Sequence, residues 1–124
     1  MAGVEQFKIF ADVEHLETSI RAERGYTSSV VLLEGHDAEA NEMMFKQRSH
    51  TDESLLDLSF WPEGLVVNNV QLTTKDDLKD MLNEFRGKVS TISVDFHDVL
   101  DFYSDITSQF IHWLLVTRQL LLYI

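Results

Sequence analysis

Histidines and acidic side chains are the residues of this sequence whose types could support metal or acid–base chemistry. The densest mixed group consists of Asp95, His97, Asp98 and Asp101. Histidine and carboxylate side chains bind divalent metals when they converge on one point. The alternation around Phe96 favours a strand, on which Asp95 and His97 would share the opposite, solvent-facing side. We therefore expect surface groups here, and we predict no metal site and no cofactor.

Nucleophilic catalysis has little support in the sequence. The chain has no cysteine, and none of its serines lies in a Gly-x-Ser-x-Gly context; Ser54, Ser90 and Ser104 are examples. The 21 acidic residues provide many carboxylates but no spacing typical of a general acid and base. A glycine-rich phosphate loop is also absent from the sequence. We predict that the protein is not an enzyme.

Two acidic runs contain no lysine or arginine. The first comprises Glu34, Asp37, Glu39 and Glu42, and the second comprises Asp95, Asp98, Asp101 and Asp105. Such runs can form a solvated face that aids solubility. They can also form a docking face that steers a basic protein partner. Trp61 and Phe102 lie close to turns or acidic residues and could anchor that interface, so we predict partner-binding roles for both runs and both aromatic residues.

Composition limits the class of protein further. The chain has 124 residues and 44% hydrophobic residues, which predicts one domain spanning residues 1–124. Its formal net charge of −11 disfavours binding to nucleic acid or to an anionic membrane. The lack of cysteine excludes a disulfide framework, and the first residues do not resemble a secretory signal. We expect a cytoplasmic location.

The periodicity of apolar residues predicts several strands. Short strands are expected at 7–11, 29–33, 56–60, 65–73 and 89–96. Residues 37–48 fit either a helix or a strand, and a polar stretch at 48–53 that could close a hairpin favours the strand. A turn is expected at 61–64, and a bulge or bend at Asn68 and Asn69.

Three helices are expected beside these strands. The first covers 13–21 and ends by Gly25, and the second runs from Lys75 to Arg86 between an N-cap at Thr74 and a stop at Gly87. The apolar stripe of the second helix is formed by Leu78, Met81, Leu82 and Phe85. The last begins near Ser104 or Asp105, although a strand also fits its residues. This order predicts an α+β fold, a mainly antiparallel sheet with two or three helices packed on it.

The C-terminal segment is unusually apolar. Residues 110–124 are too short and too interrupted to span a membrane, which needs about 20 apolar residues. They carry more apolar side chains than one face of a peripheral helix requires. The segment is therefore expected either to lie centrally in the core or to be buried against a second copy in a homodimer.

Three short segments resemble one group of immunity proteins of bacterial polymorphic-toxin and contact-dependent growth-inhibition systems. Residues 35–39 (GHDAE) resemble a His-Asp-Ala-Glu motif near the start of that group's sheet, and residues 55–60 and 92–99 are similar to its later strands. The resemblance implies a protein that neutralises a cognate basic toxin, often a nuclease, by forming a stoichiometric complex. An acidic phage-encoded inhibitor, of the anti-CRISPR or DNA-mimic type, is the alternative.

Overall fold

The computed structural model describes residues 4–123. Over that range the chain forms an antiparallel helical bundle with a small hairpin between its second and third helices. The elements are α1 (Val4–Leu32), α2 (Ala38–Leu56), β1 (Leu65–Val67), β2 (Val70–Leu72), α3 (Lys75–Ser90) and α4 (Phe96–Leu122). The predicted α+β fold with an extended antiparallel sheet is wrong. Within 4–123, no helix is long and apolar enough to cross a membrane.

Helix α1 is the central element and packs against both α2 and α4. Its fully buried apolar residues Val13, Leu16 and Ile20 have the spacing of one helix face, as the sequence predicts. The helix does not end by Gly25, whose position in α1 is solvent-exposed, and it continues to Leu32. The strands predicted at 7–11 and 29–33 are therefore helical, because neither segment has a neighbouring strand with which to pair.

Helix α2 replaces the strand predicted over 37–48, the hairpin at 48–53 and the start of the strand predicted at 56–60. Asp37 is its N-cap and accepts a hydrogen bond from the backbone N–H of Ala40 at 2.8 Å. Its buried face includes Met44 and Leu55 but also polar Arg48 and Thr51. Polar residues at core positions interrupt the helical spacing of the apolar residues in α2. The sequence pattern therefore indicated a strand here, and that prediction is wrong.

The predicted strand at 65–73 is instead a two-stranded hairpin. Leu65 pairs with Leu72 and Val67 with Val70, so the chain reverses at Asn68 and Asn69. Both asparagines have positive φ angles, 51° and 65°, which is the backbone conformation of the tight turns that suit hairpins. The bend predicted at these two asparagines is confirmed. The Trp61 indole N–H then joins the preceding turn to the hairpin by donating to the Leu72 carbonyl at 2.9 Å.

Helix α3 confirms the second predicted helix and its N-cap. The Thr74 side chain and the Asp77 carboxylate form a capping box at its start. Leu78, Leu82 and Phe85 are buried as predicted, although they pack in a helical bundle rather than on a sheet. The helix passes Gly87 and ends at Ser90.

The strand predicted at 89–96 is instead the junction between α3 and α4. Backbone hydrogen bonds from Ile92 N to Val89 O and from Ser93 N to Lys88 O close α3. Asp95 then caps α4, with its carboxylate accepting from the Asp98 N–H at 2.8 Å. This cap explains why α4 begins at Phe96 instead of near Ser104 or Asp105.

Helix α4 runs from the core into solvent. Ile106, Phe110 and Leu114 are buried, whereas Leu120 and Leu122 are 60% and 75% exposed. A central position in the core is therefore wrong for the last turns of the helix, because the shorter helices α2 and α3 do not cover them. Burial of these turns against a second copy stays a prediction.

Candidate functional site

A group of polar and charged side chains lies where the four described helices meet. It occupies positions in the middle of the bundle at which hydrophobic residues are the rule. We call it the core cluster, and it comprises Glu23 and Thr27 of α1, Arg48 and Asp52 of α2, Arg86 of α3 and Tyr103 of α4. All except Asp52 are buried.

Glu23 and Arg86 form the central ion pair of the core cluster. Nε and Nη2 of Arg86 donate to the two carboxylate oxygens of Glu23, at 3.1 and 2.7 Å. The side chains are 0% and 7% exposed, so the pair is shielded from water. Burial alone would lower the pKa of Arg86, but the hydrogen bonds and charge of Glu23, aided by Asp52, outweigh burial and raise it. The pair is therefore ionised and tightly held.

The remaining donors of Arg86 face α2 and its own helix. Nη1 donates to Asp52 Oδ1 at 2.8 Å and to Asn83 Oδ1 at 3.2 Å. The Asp52 side chain is 46% exposed, so water screens its charge much more than that of Glu23. Nη2 also reaches the Arg48 carbonyl at 3.5 Å, which brings α3 against α2.

Tyr103 supplies a neutral hydroxyl to the same carboxylate. Its O–H donates to Glu23 Oε2 at 2.5 Å. Burial, and then the charge of Glu23 and this hydrogen bond, raise the pKa of Tyr103 above its ordinary value. The phenol therefore stays protonated and acts as a hydrogen-bond donor.

Arg48 is the cluster member whose guanidinium is left without an anion. It is 9% exposed, yet its Nε and Nη2 have no hydrogen-bond partner among residues 4–123. Burial lowers the pKa of Arg48, but a guanidinium remains charged in proteins. Its Cζ lies 5.2 Å from the centre of the Phe45 ring, a cation–π contact that leaves the in-plane N–H groups free.

Two further buried oxygens lie on α1. The Thr27 hydroxyl lies beside the Tyr103 side chain, one helical turn after Glu23, and Glu17 Oε1 accepts no hydrogen bond among the described residues. A buried polar group without a hydrogen bond costs about 1–3 kcal/mol. The free N–H donors of Arg48 therefore point to a ligand that can accept hydrogen bonds.

The buried charges balance in number but not in pairing. Arg48 and Arg86 are positive, and Glu17 and Glu23 are negative. Glu23 pairs with Arg86 and Glu17 with the half-exposed Arg21, whereas the Arg48 guanidinium forms no ion pair among the described residues. A buried charge without a partner is costly, and an anion that accepted hydrogen bonds from Arg48 would remove this cost.

A cavity of about 350 Å³ lies close to this group, where the α1–α2 and α3–α4 connections meet. Apolar residues make up most of its wall, among them Val30, Met44 and Val89. Phe45 also lines the cavity, and the Arg48 guanidinium lies over its ring. None of the core-cluster residues lines the cavity itself, and Phe45 is a wall residue that contacts one of them.

The partner-binding residues predicted from sequence lie elsewhere. Four of them line one open groove: Asp98, Asp101, Phe102 and Asp105. The Phe102 ring stacks on the Phe85 ring, with 3.9 Å between the ring centroids. Trp61 lies apart from that groove, edge-on to Phe110. Asp37 and Asp95 cap helices, and Glu34, Glu39 and Glu42 are exposed around the start of α2. Partner binding by these residues stays a prediction.

The proposed strand face of Asp95 and His97 is wrong, because both residues belong to the start of α4. No group of three or more histidine and acidic residues within 4–123 has the geometry to hold a metal ion.

Sequence reasoning missed the core cluster. Glu23 and Thr27 continue the spacing of Leu16 and Ile20 along α1, and Arg48 continues that of Met44 along α2. A charged residue in phase with a buried helical stripe was the available signal. It could be recognised only if both segments were first identified as helices.

The fold and the core cluster define a helical bundle with a buried, unpaired guanidinium at Arg48. A family model described as nitrate and nitrite sensing matches residues 16–121, which is most of the chain. The chain belongs to this nitrate- and nitrite-sensing family. No curated protein and no solved structure matches it.

This family membership corrects the expectation drawn from short motifs. The resemblance to immunity proteins is wrong, since the match over residues 16–121 is to a family of sensor domains. The toxin-neutralising function implied by that resemblance is wrong with it. Nothing in the family match supports the alternative of a phage-encoded inhibitor. The GHDAE segment at 35–39 instead contains the N-cap and first turn of α2.

Proposed function

We propose that this chain is a sensor domain that binds nitrate or nitrite at the Arg48 guanidinium. The observation that carries the proposal is a buried arginine whose Nε and Nη2 lack partners among the described residues. Family membership supports the choice of ligand.

The chemistry of the ligand suits the site. Nitrate and nitrite are planar oxyanions whose charge is shared between oxygens, and a guanidinium presents parallel N–H donors in one plane. Nε and Nη2 lie on one edge of that plane, so two oxygens of the anion can accept from them together.

The cavity beside Phe45 provides a route for the ligand. Its apolar wall would hold few strongly bound water molecules, so a weakly hydrated anion could pass more readily than a strongly hydrated one. The exterior of the protein, with a net charge of −11, repels anions. Binding must therefore depend on local contacts at the buried guanidinium rather than on the overall field.

The domain binds its ligand without transforming it, in keeping with the sequence prediction that it is not an enzyme. The core cluster supplies hydrogen-bond donors and fixed charges to an anion. Arg48, the group with free donors, carries a permanently charged guanidinium, which is neither a nucleophile nor a base.

Titration calorimetry with sodium nitrate and sodium nitrite tests the proposal directly. The wild-type protein should bind at one site per chain. Arg48→Met keeps a long side chain but removes the charge and the donors, and it should weaken binding by at least about tenfold. Arg48→Lys should recover part of the loss, since lysine restores the charge without the planar fork.

Arg118→Met is the matched control, because Arg118 is exposed on α4. It should bind nitrate like the wild type. Unchanged nitrate affinity in folded Arg48→Met protein would rule out this site.

A further inference from the structure

The cavity between the α1–α2 and α3–α4 connections has a lining that suits a ligand of its own. We infer that it is a second binding site, and that its ligand is a small organic ammonium ion, an apolar body that carries a protonated amine. This inference goes beyond the proposed function and does not rest on it, because no core-cluster residue lines the cavity.

The size and the wall of the cavity suit the apolar body of such a ligand. Its volume of about 350 Å³ lies within the range of about 300–1,000 Å³ that is typical of small-molecule sites. Val30, Met44 and Val89 are buried and line it, and the Phe45 ring adds to the wall. An aromatic ring or a branched alkyl chain would be removed from water against these side chains, which is favourable.

The backbone donors of the α1–α2 connection are already used. The backbone N–H groups of Glu34, Gly35 and His36 all donate to carbonyl oxygens of residues 30–33, at 2.9–3.1 Å. On the opposite side of the cavity, the Ile92 N–H donates to a carbonyl at the end of α3. The polar character of the lining therefore depends on its side chains.

These side chains offer more acceptors than donors. Asn41 uses one amide hydrogen on the Gly35 carbonyl and keeps Oδ1, and the Ser90 hydroxyl donates to the Arg86 carbonyl and keeps its lone pairs. A neutral His36 side chain offers one donor and one acceptor. The Glu34 carboxylate is an acceptor only. A ligand that donates hydrogen bonds fits this lining better than one that accepts them.

Glu34 determines the sign of the charge that the cavity favours. Its side chain is exposed and forms no ion pair among the described residues. Arg48 does not line the cavity, and its guanidinium lies over the Phe45 ring, one turn of α2 beyond Asn41. An ammonium group would therefore point towards Glu34, with the apolar body directed towards Phe45. The net charge of −11 also attracts cations to the protein.

Calorimetric titration with three probes separates the apolar and the charged parts of the ligand. Benzylammonium carries a ring and a charge, benzyl alcohol carries the ring alone, and methylammonium carries the charge alone. The titrations are run at constant ionic strength and pH 8, above the range in which histidine usually takes up a proton. Wild-type protein should bind benzylammonium at one site per chain, at least about tenfold more tightly than either other probe.

Two variants of exposed lining residues test the location of the site. Glu34→Gln should weaken benzylammonium binding at least about fivefold and leave benzyl alcohol binding unchanged. Ser90→Leu places a larger side chain in the cavity and should weaken binding of both ring-containing probes. Glu39→Gln is the matched control, because Glu39 is an exposed member of the same acidic run that does not line the cavity. It should bind all three probes like the wild type.

Several outcomes would overturn the inference. Wild-type protein that did not bind benzylammonium, or that bound benzyl alcohol equally well, would exclude an ammonium site. Equal weakening by Glu34→Gln and Glu39→Gln, or equal binding of methylammonium, would show that the acidic surface attracts the amine without the cavity. The proposed function is tested separately, by nitrate binding to Arg48→Met, so the failure of one proposal can be distinguished from the failure of the other.

Discussion

The Tyr103 hydroxyl donates a hydrogen bond to Oε2 of Glu23, the same oxygen that accepts from Nε of Arg86. One carboxylate of α1 therefore joins α3 and α4 through partners 63 and 80 residues away in sequence. A change in the charge around Glu23 would alter the contacts among α1, α3 and α4 at the same time. This shared oxygen links the anion site to the packing of the bundle.

Removal of one member of the Glu23–Arg86 pair should lower the free energy of unfolding strongly, whereas replacement of both members by apolar residues should lower it little. Arg86→Met leaves Glu23 buried without its partner, so it should lower the free energy of unfolding by about 3–5 kcal/mol. The double variant Glu23→Leu with Arg86→Met should recover most of this loss, because neither side chain then carries a charge. Urea denaturation followed by circular dichroism measures both values.

Lys88→Met provides the control for this prediction on the same helix. The Lys88 side chain is exposed and lies 3.8 Å from Glu84, so its loss should cost less than about 1 kcal/mol. Equal destabilisation by Arg86→Met and Lys88→Met would show that the buried pair is not held as described.

Tyr103 should make the protein less stable in alkaline solution. Burial and Glu23 raise the pKa of Tyr103 in the folded state above its ordinary value of about 10. Above pH 10 the unfolded chain loses this proton while the folded chain retains it, so the folded state binds more protons. The contribution of Tyr103 is thus fully present below pH 10 and falls by about 1.4 kcal/mol per pH unit above it.

The comparison with Tyr103→Phe isolates this contribution from the titration of lysines. The difference in unfolding free energy between the two proteins should be constant from pH 7 to about pH 9.5 and shrink at higher pH. Tyr123→Phe, at a site 81% exposed, should follow the wild type throughout. A constant difference up to pH 11 would contradict the raised pKa.

Part of this fold could be predicted from sequence because, in some segments, the capping residues, the charges and the spacing of apolar residues all indicate the same structure. Helix α3 has a capping residue, acids in its first turn and an apolar stripe at Leu78, Leu82 and Phe85. All of these features indicate a helix, so its type and N-terminus were correctly identified. The Asn68–Asn69 reversal was identifiable for a similar reason, since asparagine tolerates positive φ.

The sequences of α1 and α2, which contribute most of the core cluster, contain residues that favour different secondary structures. Val30 and Val31 are β-branched and favour a strand, while Glu23 interrupts the apolar stripe of α1. Arg48 interrupts that of α2 in the same way. The residues that form the core cluster are thus those that broke the helical pattern, and a functional site is where local rules are expected to fail.

Ile92 offers a test of strain at the end of α3. Its φ of 51° lies in the left-handed region, which is unfavourable for a β-branched residue. It is 57% exposed, so little packing would be lost on its removal. Ile92→Gly should therefore raise the free energy of unfolding by about 1 kcal/mol.

The control for this prediction is an isoleucine in regular helix. Ile111 is 42% exposed within α4, and Ile111→Gly should lower stability, because glycine is a poor helix former. The two substitutions should have opposite signs in the same urea denaturation experiment. Destabilisation by both would mean that the Ile92 side chain contributes more by packing than its backbone conformation costs.

Nitrate affinity should rise with ionic strength, which is the reverse of the usual behaviour for a site that binds an anion at an arginine. The net charge of −11 repels nitrate over a distance set by the Debye length, which falls from about 30 Å at 0.01 M salt to about 10 Å at 0.1 M. Added salt screens this repulsion. It screens the attraction of the buried Arg48 guanidinium much less, because that group is only 9% exposed. Calorimetric titration of nitrate in increasing concentrations of the sodium salt of a bulky carboxylic acid, which cannot enter the cavity, measures the effect. Affinity that falls steadily with salt would place nitrate on an exposed cation instead, and the same measurement on Arg118→Met would then identify whether that cation is on α4.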